Sequence, residues 1–165
     1  MTAKLKKLSP TDDLTIYNML QEIPASENGF MNGANGLTYD DYQKRLVKSD
    51  NASKGIGLED WMVAQNIYWL YIEDEPVGMG KLRLRLTDKL RADGGNCGYG
   101  IVVSKRGKGY GKILLKLLVE EARALEITPL LLTINEKNEA SIKTALANGG
   151  TIEKTIGEKH YIWIQ

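Results

Sequence analysis

Thiol and imidazole are almost missing from this chain, which carries one cysteine, Cys97, and one histidine, His160, in 165 residues. A lone cysteine excludes an internal disulfide and fits a reducing compartment, so a cytoplasmic location is expected. One cysteine and one histidine cannot assemble a recognisable zinc site, and no metal is expected. Cys97 reads as a small buried hydrophobe rather than a nucleophile. His160, beside a hairpin turn, reads as a solvated loop residue. Charge of one sign is lacking too: 22 Lys and Arg stand against 21 Asp and Glu, and a formal charge of +1 argues against nucleic acid as a partner. No apolar run approaches the length of a membrane span. The opening Met1-Thr2-Ala3-Lys4-Leu5-Lys6-Lys7 has no apolar core behind its lysines, so no membrane partner is expected. Internal repeats are absent. With 42% hydrophobic and 26% charged residues the composition is that of an ordinary globular protein, and residues 1–165 read as one domain.

What the chain does have is concentrated in Ile101–Lys112. Three β-branched residues, Ile101, Val102 and Val103, end a strand; a turn of glycines and cations follows; Ile113-Leu114-Leu115 begins a helix. A strand-to-helix turn of this kind leaves backbone N–H groups without partners at the positive end of the helix dipole, which is a site for a phosphate. Lys105, Arg106, Lys108 and Lys112 add cations with no acid among them. Two familiar phosphate motifs do not fit. No Gly-Lys-Ser/Thr string ends a P-loop, and Gly107-x-Gly109-x-Gly111 has the wrong last spacing for a dinucleotide turn.

In chain order, Lys4–Leu8 reads as a short strand and Ser9-Pro10-Thr11 opens a helix, with Thr11 or Asp12 as N-cap and Leu14, Tyr17, Met19 and Leu20 near one face. Residues 24–38, rich in Gly, Asn and Ser, read as a long loop anchored by Phe30 and Met31. A second helix runs from Thr38 to about Val47, and Lys48–Leu58 is loose. Asn66–Ile72 and Val77–Leu86 form an antiparallel hairpin, with Leu82, Leu84 and Leu86 facing in and Lys81, Arg83 and Arg85 facing out. Cys97–Ser104 is the strand before the glycine turn, and the helix after it runs to Leu125 with Ala122 and Leu125 inside. Pro129–Ile134 reads as a strand covered on both faces. Asn138 caps a last helix with Ile142, Ala145 and Leu146 inside, and Thr151–Ile156 with Tyr161–Ile164 closes the chain as a hairpin.

Arg106-Gly107-Lys108-Gly109-Tyr110-Gly111 resembles the acetyl-coenzyme A loop, Arg/Gln-x-x-Gly-x-Gly/Ala, of the GCN5-related N-acetyltransferases (GNAT). A second match lies one strand on, at Asn135–Ser141, and the order of elements agrees over essentially the whole chain. The long loop and the run from Tyr68 through Gly111 also resemble a subgroup of predicted acetyltransferases of unassigned substrate. The resemblance implies a mixed α/β fold, with a central, mostly antiparallel sheet and a β-α-β crossover that carries the cofactor. It implies acetyl-CoA as co-substrate. Ile101, Val102 and Val103 would lie along the pantetheine arm. Arg106, Gly107, Lys108, Gly109, Tyr110, Gly111 and Lys112 would wrap the pyrophosphate, and Asn138 and Ser141 would reach the cofactor from the next element. An N-cap needs the same residue type as Asn138 provides, so a purely structural role stands beside that one.

The chemistry implied is direct attack of an amine, from a small molecule or a protein, on the acetyl thioester. Such an amine must lose a proton to react. Many relatives place a glutamate where this chain has Asn96 and Cys97, and a tyrosine where it has Ala145. In their place the chain offers Glu22 and Glu27 as candidate bases and Tyr99 as a candidate donor to the leaving thiolate. The loop at 24–38 would be a substrate lid. Asp40, Asp41, Glu59, Asp60 and Glu73-Asp74-Glu75 give the N-terminal half an acidic lean that would suit cationic acceptors. The missing glutamate and tyrosine motivate an alternative, an acyl-CoA binding or sensing module without turnover. The sequence does not fix the oligomeric state, a homodimer included.

Overall fold

The computed structural model describes all residues, Met1–Gln165. The elements in order are β1 (Ala3–Lys7), α1 (Leu14–Gln21), β2 (Ser26–Glu27), β3 (Phe30–Met31), α2 (Tyr39–Ser53), β4 (Gln65–Ile72), β5 (Glu75–Arg83), α3 (Asp88–Ala92), β6 (Cys97–Ile101), α4 (Tyr110–Ala124), β7 (Leu130–Asn135), α5 (Glu139–Ala147), β8 (Thr151–Ile156) and β9 (Lys159–Ile164). The mixed α/β fold with antiparallel pairing is as expected. The strands divide into a four-stranded sheet, β1-β4-β5-β6, and a three-stranded sheet, β7-β9-β8, with every pair antiparallel. No helix is long and apolar enough to cross a membrane.

Both faces of the larger sheet are covered. One carries α4, whose Leu114, Leu115, Leu118 and Ala122 are completely buried against Leu70, Leu82, Leu130 and Ile162, so that α4 packs on both sheets at once. The other carries α1 and α2, with Ile16, Leu20, Tyr42 and Leu46 packed on Trp69 and Met79. Burial of this kind contributes roughly 1.5–3 kcal/mol per large side chain, and it is what holds the short helices in place.

The two sheets meet at one residue. Asn96 is 2% exposed and serves a strand on either side. Its N–H donates to Leu131 O at 2.8 Å and its Oδ1 accepts from Leu131 N at 2.9 Å. Its carbonyl accepts from Arg83 N at 2.7 Å and its Nδ2 donates to Arg83 O at 3.3 Å. Gly95 before it, at φ +59°, lies so close to the Leu131 carbonyl that a side chain would collide with it. Past this joint β6 and β7 share no ladder, and a cleft opens between them.

Several local features differ from the sequence reading. Asp13, not Thr11 or Asp12, caps α1; its Oδ1 accepts from Thr15 N, while Asp12 Oδ2 accepts from Ser9 N and Trp69 Nε1. Leu14 points outward and Ile16 inward. The 24–38 loop contains the small β2–β3 hairpin, and its asparagines pin it to the end of α1. Asn32 Nδ2 donates to Leu20 O and Ile23 O, and Asn35 Nδ2 to Gln21 O and Ile23 O, satisfying carbonyls that the helix leaves open. Met31 is exposed rather than an anchor. Helix α2 continues to Ser53, supported by a Lys54–Asp50 ion pair at 3.0 Å. β5 ends at Arg83, so Leu84 and Leu86 lie beyond it, half-buried. Leu125 and Leu146 are exposed, and Ala145 alone on α5 is fully buried. Cys97 is buried as expected, whereas His160 lies within β9, with Nδ1 2.7 Å from Thr155 Oγ1.

Replacing Asn96 by Leu keeps the branched outline of the side chain but orphans the Leu131 N–H and the Arg83 carbonyl. Denaturant unfolding should show a loss of roughly 2–5 kcal/mol. A loss below about 0.5 kcal/mol, the range of an ordinary surface change, would show that the joint does not depend on this side chain.

Candidate active site

The cleft below the joint is about 800 Å³, the size of a site for a substantial small molecule. One wall is β6. In an antiparallel pair, residues alternate between bonding the partner strand and pointing away from it. Arg83 N bonds Asn96 O and Val102 N bonds Val77 O, so Gly98 and Gly100 bond β5. The peptide groups of Tyr99 and Ile101 therefore point into the cleft. The strand edge expected at Ile101, Val102 and Val103 is shifted. Ile101 lines the cleft, but Val102 turns into the α1–α2 core, and Val103, exposed, gives its N–H to Glu22 O at 3.3 Å. A tight helical turn over Val103–Lys105 ends the strand early.

At one end of the cleft lies the glycine turn. Gly107 (φ +78°) and Gly109 (φ +81°) are left-handed, which a residue with a side chain adopts only at a cost, and Gly109 is the N-cap of α4. No side chain caps the helix, and its first turn holds no acid. None of the N–H groups from Gly107 through Lys112 donates to a protein acceptor. Arg106 lies beside them, with Nε donating to Ile101 O at 3.1 Å and Nη2 2.8 Å from Glu27 Oε1. Lys112 lines the cleft, and Lys105 pairs with Glu75 at 3.1 Å. Lys108 is exposed on the outside of the turn. Across the cleft, Asn138 caps α5, accepting from Ser141 N at 3.4 Å, and both residues also line the space.

The three residues expected to carry proton transfer separate. Tyr99 enters the site: its Oη is buried, has no hydrogen-bond partner and lies on the side of Ser141 and Thr144. Burial pushes its phenol up, an effect the two hydroxyl side chains partly offset, so Tyr99 holds its proton at neutral pH. Glu27 lines the cleft but is held by Arg106 through both carboxylate oxygens. Glu22 does not reach it; as the C-cap of α1 it is exposed and contributes only its carbonyl, to Val103. Burial raises the Cys97 thiol to about 12, which removes it as a nucleophile.

Sequence reasoning missed the far end of the cleft. Alternation along β5 placed Lys81 and Arg83 toward solvent, but that face is covered by the β2–β3 hairpin. Phe30 lies flat over Gly98 and Gly100, where a β-carbon would come within 3.2 and 3.0 Å of its ring. Lys81 Nζ donates to Met31 O at 2.5 Å and sits 5.1 Å from the Phe30 ring centroid. Arg83 Nη1 donates to Gly94 O at 3.0 Å and Gly95 O at 3.1 Å. The signal was present as Gly98-x-Gly100 on the neighbouring strand, two small residues that leave room for a cover.

Burial, helped by Arg45 and Arg83, lowers the Lys81 amine from 10.5 to about 8. The folded chain therefore binds this proton less tightly than the unfolded chain does. Lys81 opposes folding below pH 8, and stability should rise as pH climbs from about 8 to 10.5. Chemical denaturation at several pH values should show this rise in the native protein and not in Lys81→Met. Parallel profiles for the two would place the Lys81 pKa at its ordinary value.

The sequence profile of the acetyltransferase (GNAT) family matches residues 36–149. No curated protein sequence matches the chain. Among solved structures, the fold is similar to that of a GNAT-family acetyltransferase from Streptococcus pneumoniae, at 16% identity and a TM-score of 0.64, over 99% of this chain and 100% of that one. It is similar to the Campylobacter jejuni N-acetyltransferase PseH in complex with acetyl coenzyme A, at 13% identity and a TM-score of 0.63, over 99% of each chain. It is also similar to RimL, a ribosomal-protein α-N-acetyltransferase in complex with coenzyme A, at 13% identity and a TM-score of 0.68, over 99% of this chain and 93% of that one. With the profile covering most of its length and the fold agreeing end to end, the chain belongs to the GNAT family of acetyltransferases.

Proposed function

We propose that this chain, working as one domain, transfers an acetyl group from acetyl-CoA to a primary amine in the cleft between β6 and β7. The observation that carries this reading is the run of unpartnered N–H groups from Gly107 through Lys112 at the cleft's mouth. A pyrophosphate supplies the acceptors those donors lack, and the N-terminus of α4 with Arg106 and Lys112 supplies compensating charge. The pantetheine arm then follows the free edge of β6, taking hydrogen bonds from the peptide groups of Tyr99 and Ile101 as an added strand would. Asn138 and Ser141 close the opposite wall.

This path carries the thioester past Tyr99, and the acceptor amine enters from beneath the β2–β3 hairpin. The amine nitrogen attacks the thioester carbonyl carbon, the C–N bond forms and the C–S bond breaks. Tyr99 Oη gives its proton to the departing sulfur, and the proton shed by the amine passes through water, restoring the phenol. Tyr99 fits the donor role because it is protonated, buried and unpartnered. Its place across from Ser141 on α5 compensates for the missing tyrosine at Ala145. Glu27 and Arg106 strap the hairpin to the cofactor turn, so this carboxylate is a positioning group. Much of the acceleration comes from holding amine and thioester together rather than from a dedicated base.

Thiol release from acetyl-CoA in the presence of a panel of primary amines tests the reading. Tyr99→Phe should lower kcat by on the order of 10²-fold while acetyl-CoA affinity stays within about threefold. An unchanged kcat would remove Tyr99 from the chemistry. Binding without thiol release from any amine would favour an acyl-CoA sensing module.

A further inference from the structure

The inference concerns the acceptor and rests on the acetyltransferase reading above. Six cations and two carboxylates line the cleft. Both carboxylates are taken: Glu27 by Arg106 at 2.8 Å, and Asp93 by Lys159 at 2.6 Å. Arg106, Lys105 and Lys112 belong to the phosphate end. Lys81 and Arg83 do not. They pair across β5–β6 with Gly98 and Asn96, three and five residues upstream of Ile101, so they lie roughly 10–17 Å back from Ile101, the end of β6 nearer the glycine turn.

Neither side chain has an ion-pair partner within 4 Å, although both are half-buried; Asp93 is near enough to act on Arg83, but its own ion pair is with Lys159. Lys81 uses one of its three N–H donors, on Met31 O. Arg83 uses Nη1 on two backbone carbonyls, which leaves Nε and Nη2 free. Arg45 of α2 adds a third unpaired cation close enough to act on Lys81, its guanidinium lying against Gly33. Charge drawn partly out of water without a paired counter-ion is costly, and such groups lining a cleft are candidates for contact with a ligand. The two residues alternate onto one face of β5, their α-carbons about 6.6 Å apart, near enough for both side chains to reach one carboxylate or phosphate. None of the acids that suggested a cationic acceptor, Asp40, Asp41, Glu59, Asp60 or Glu73-Asp74-Glu75, lines the cleft.

We infer that the acceptor is an amine that itself carries an anionic group, a carboxylate or a phosphate, a few bonds from the nitrogen, and that Lys81 and Arg83 hold that group. Gly98, opposite Lys81, precedes Tyr99, whose peptide group faces the cleft, so an anion on Lys81 and Arg83 leaves the amine at the strand edge along which the thioester would lie, with the Tyr99 ring on the far face. A polyamine, or a lysine side chain in a neutral setting, meets repulsion here instead.

The test uses the full chain at saturating acetyl-CoA and follows thiol release with matched amines. The pairs are common amino acids against their α-carboxamides and phosphoethanolamine against ethanolamine, with spermidine as a cation. At least one anionic amine should exceed its neutral partner by about tenfold or more in kcat/KM, the size of one charge-assisted hydrogen bond. Whichever pair responds distinguishes carboxylate from phosphate. Lys81→Met and Arg83→Gln, checked for a melting transition and for acetyl-CoA binding, should bring that ratio close to one, and Lys81→Arg should keep it. Neutral amines or spermidine used as well as the anionic ones would overturn the inference. So would no use of any anionic amine by protein that binds acetyl-CoA, and so would a preference that survives both substitutions. Those outcomes leave the acetyltransferase reading standing; failure to bind acetyl-CoA would defeat that reading before any amine is added.

Discussion

Everything in this structure that looks functional depends on two strands that start together and then part. Asn96 makes the joint: it bonds the peptide groups of Arg83 on one sheet and Leu131 on the other and is itself withdrawn from water. Gly94 N on Thr133 Oγ1 and Tyr161 Oη on the Ala92 carbonyl brace the approach to the joint, and α4 packs on both sheets. A packed helix holds two sheets near one another without fixing the angle between them, whereas paired hydrogen bonds at one point fix both position and direction. The cleft is the geometric consequence. It is open because β6 and β7 make no ladder beyond the joint, which leaves the cleft-facing peptide group of Tyr99 and the N–H of Ile101 for something else to bond, while the Ile101 carbonyl is taken by Arg106.

Charge is divided along this cleft as well. The glycine turn gathers positive charge from Arg106, Lys112 and the amide dipoles of α4, and the far end gathers it from Lys81 and Arg83. Tyr99, neutral and buried, sits between them. An anion held at each end leaves the centre for an uncharged thioester and an amine. The β2–β3 hairpin closes the far end, with Phe30 lying on two glycines of β6 and Glu27 tied to Arg106. The cover and the phosphate turn are thereby linked by one ion pair, exposed enough for a bound pyrophosphate to compete for it.

How much of this the sequence carried depended on whether a signal was local. The glycine turn was legible because N-caps, left-handed positions and clustered lysines are properties of a few consecutive residues, as at Arg106–Lys112. The β4–β5 hairpin and the buried stripe of α4 followed from periodicity. Lys81 and Arg83 were misread because alternation gives the face of a strand and not what covers that face; the cover, Phe30, lies about 50 residues earlier in a loop without periodicity. Val102 and Val103 were misplaced because a helical turn ended β6 two residues before the apolar run did. Asn96 and Cys97 stand where the family resemblance leads one to expect a glutamate in many relatives, and as a sequence feature Asn96 is only a departure. Its role exists only through Arg83 and Leu131, one on each sheet. Glu22 failed for a related reason, since its backbone, not its carboxylate, faces β6.

The central claim is that this cleft takes coenzyme A thioesters, and calorimetric titration of the purified chain tests it most directly. Acetyl-CoA and coenzyme A should bind in the micromolar range, ATP and NAD should not, and Gly109→Val, which forces a branched side chain into the left-handed cap of α4, should abolish the heat while leaving the protein folded. Folded protein that binds neither coenzyme A form, or binds both equally well with Val at position 109, would contradict the account.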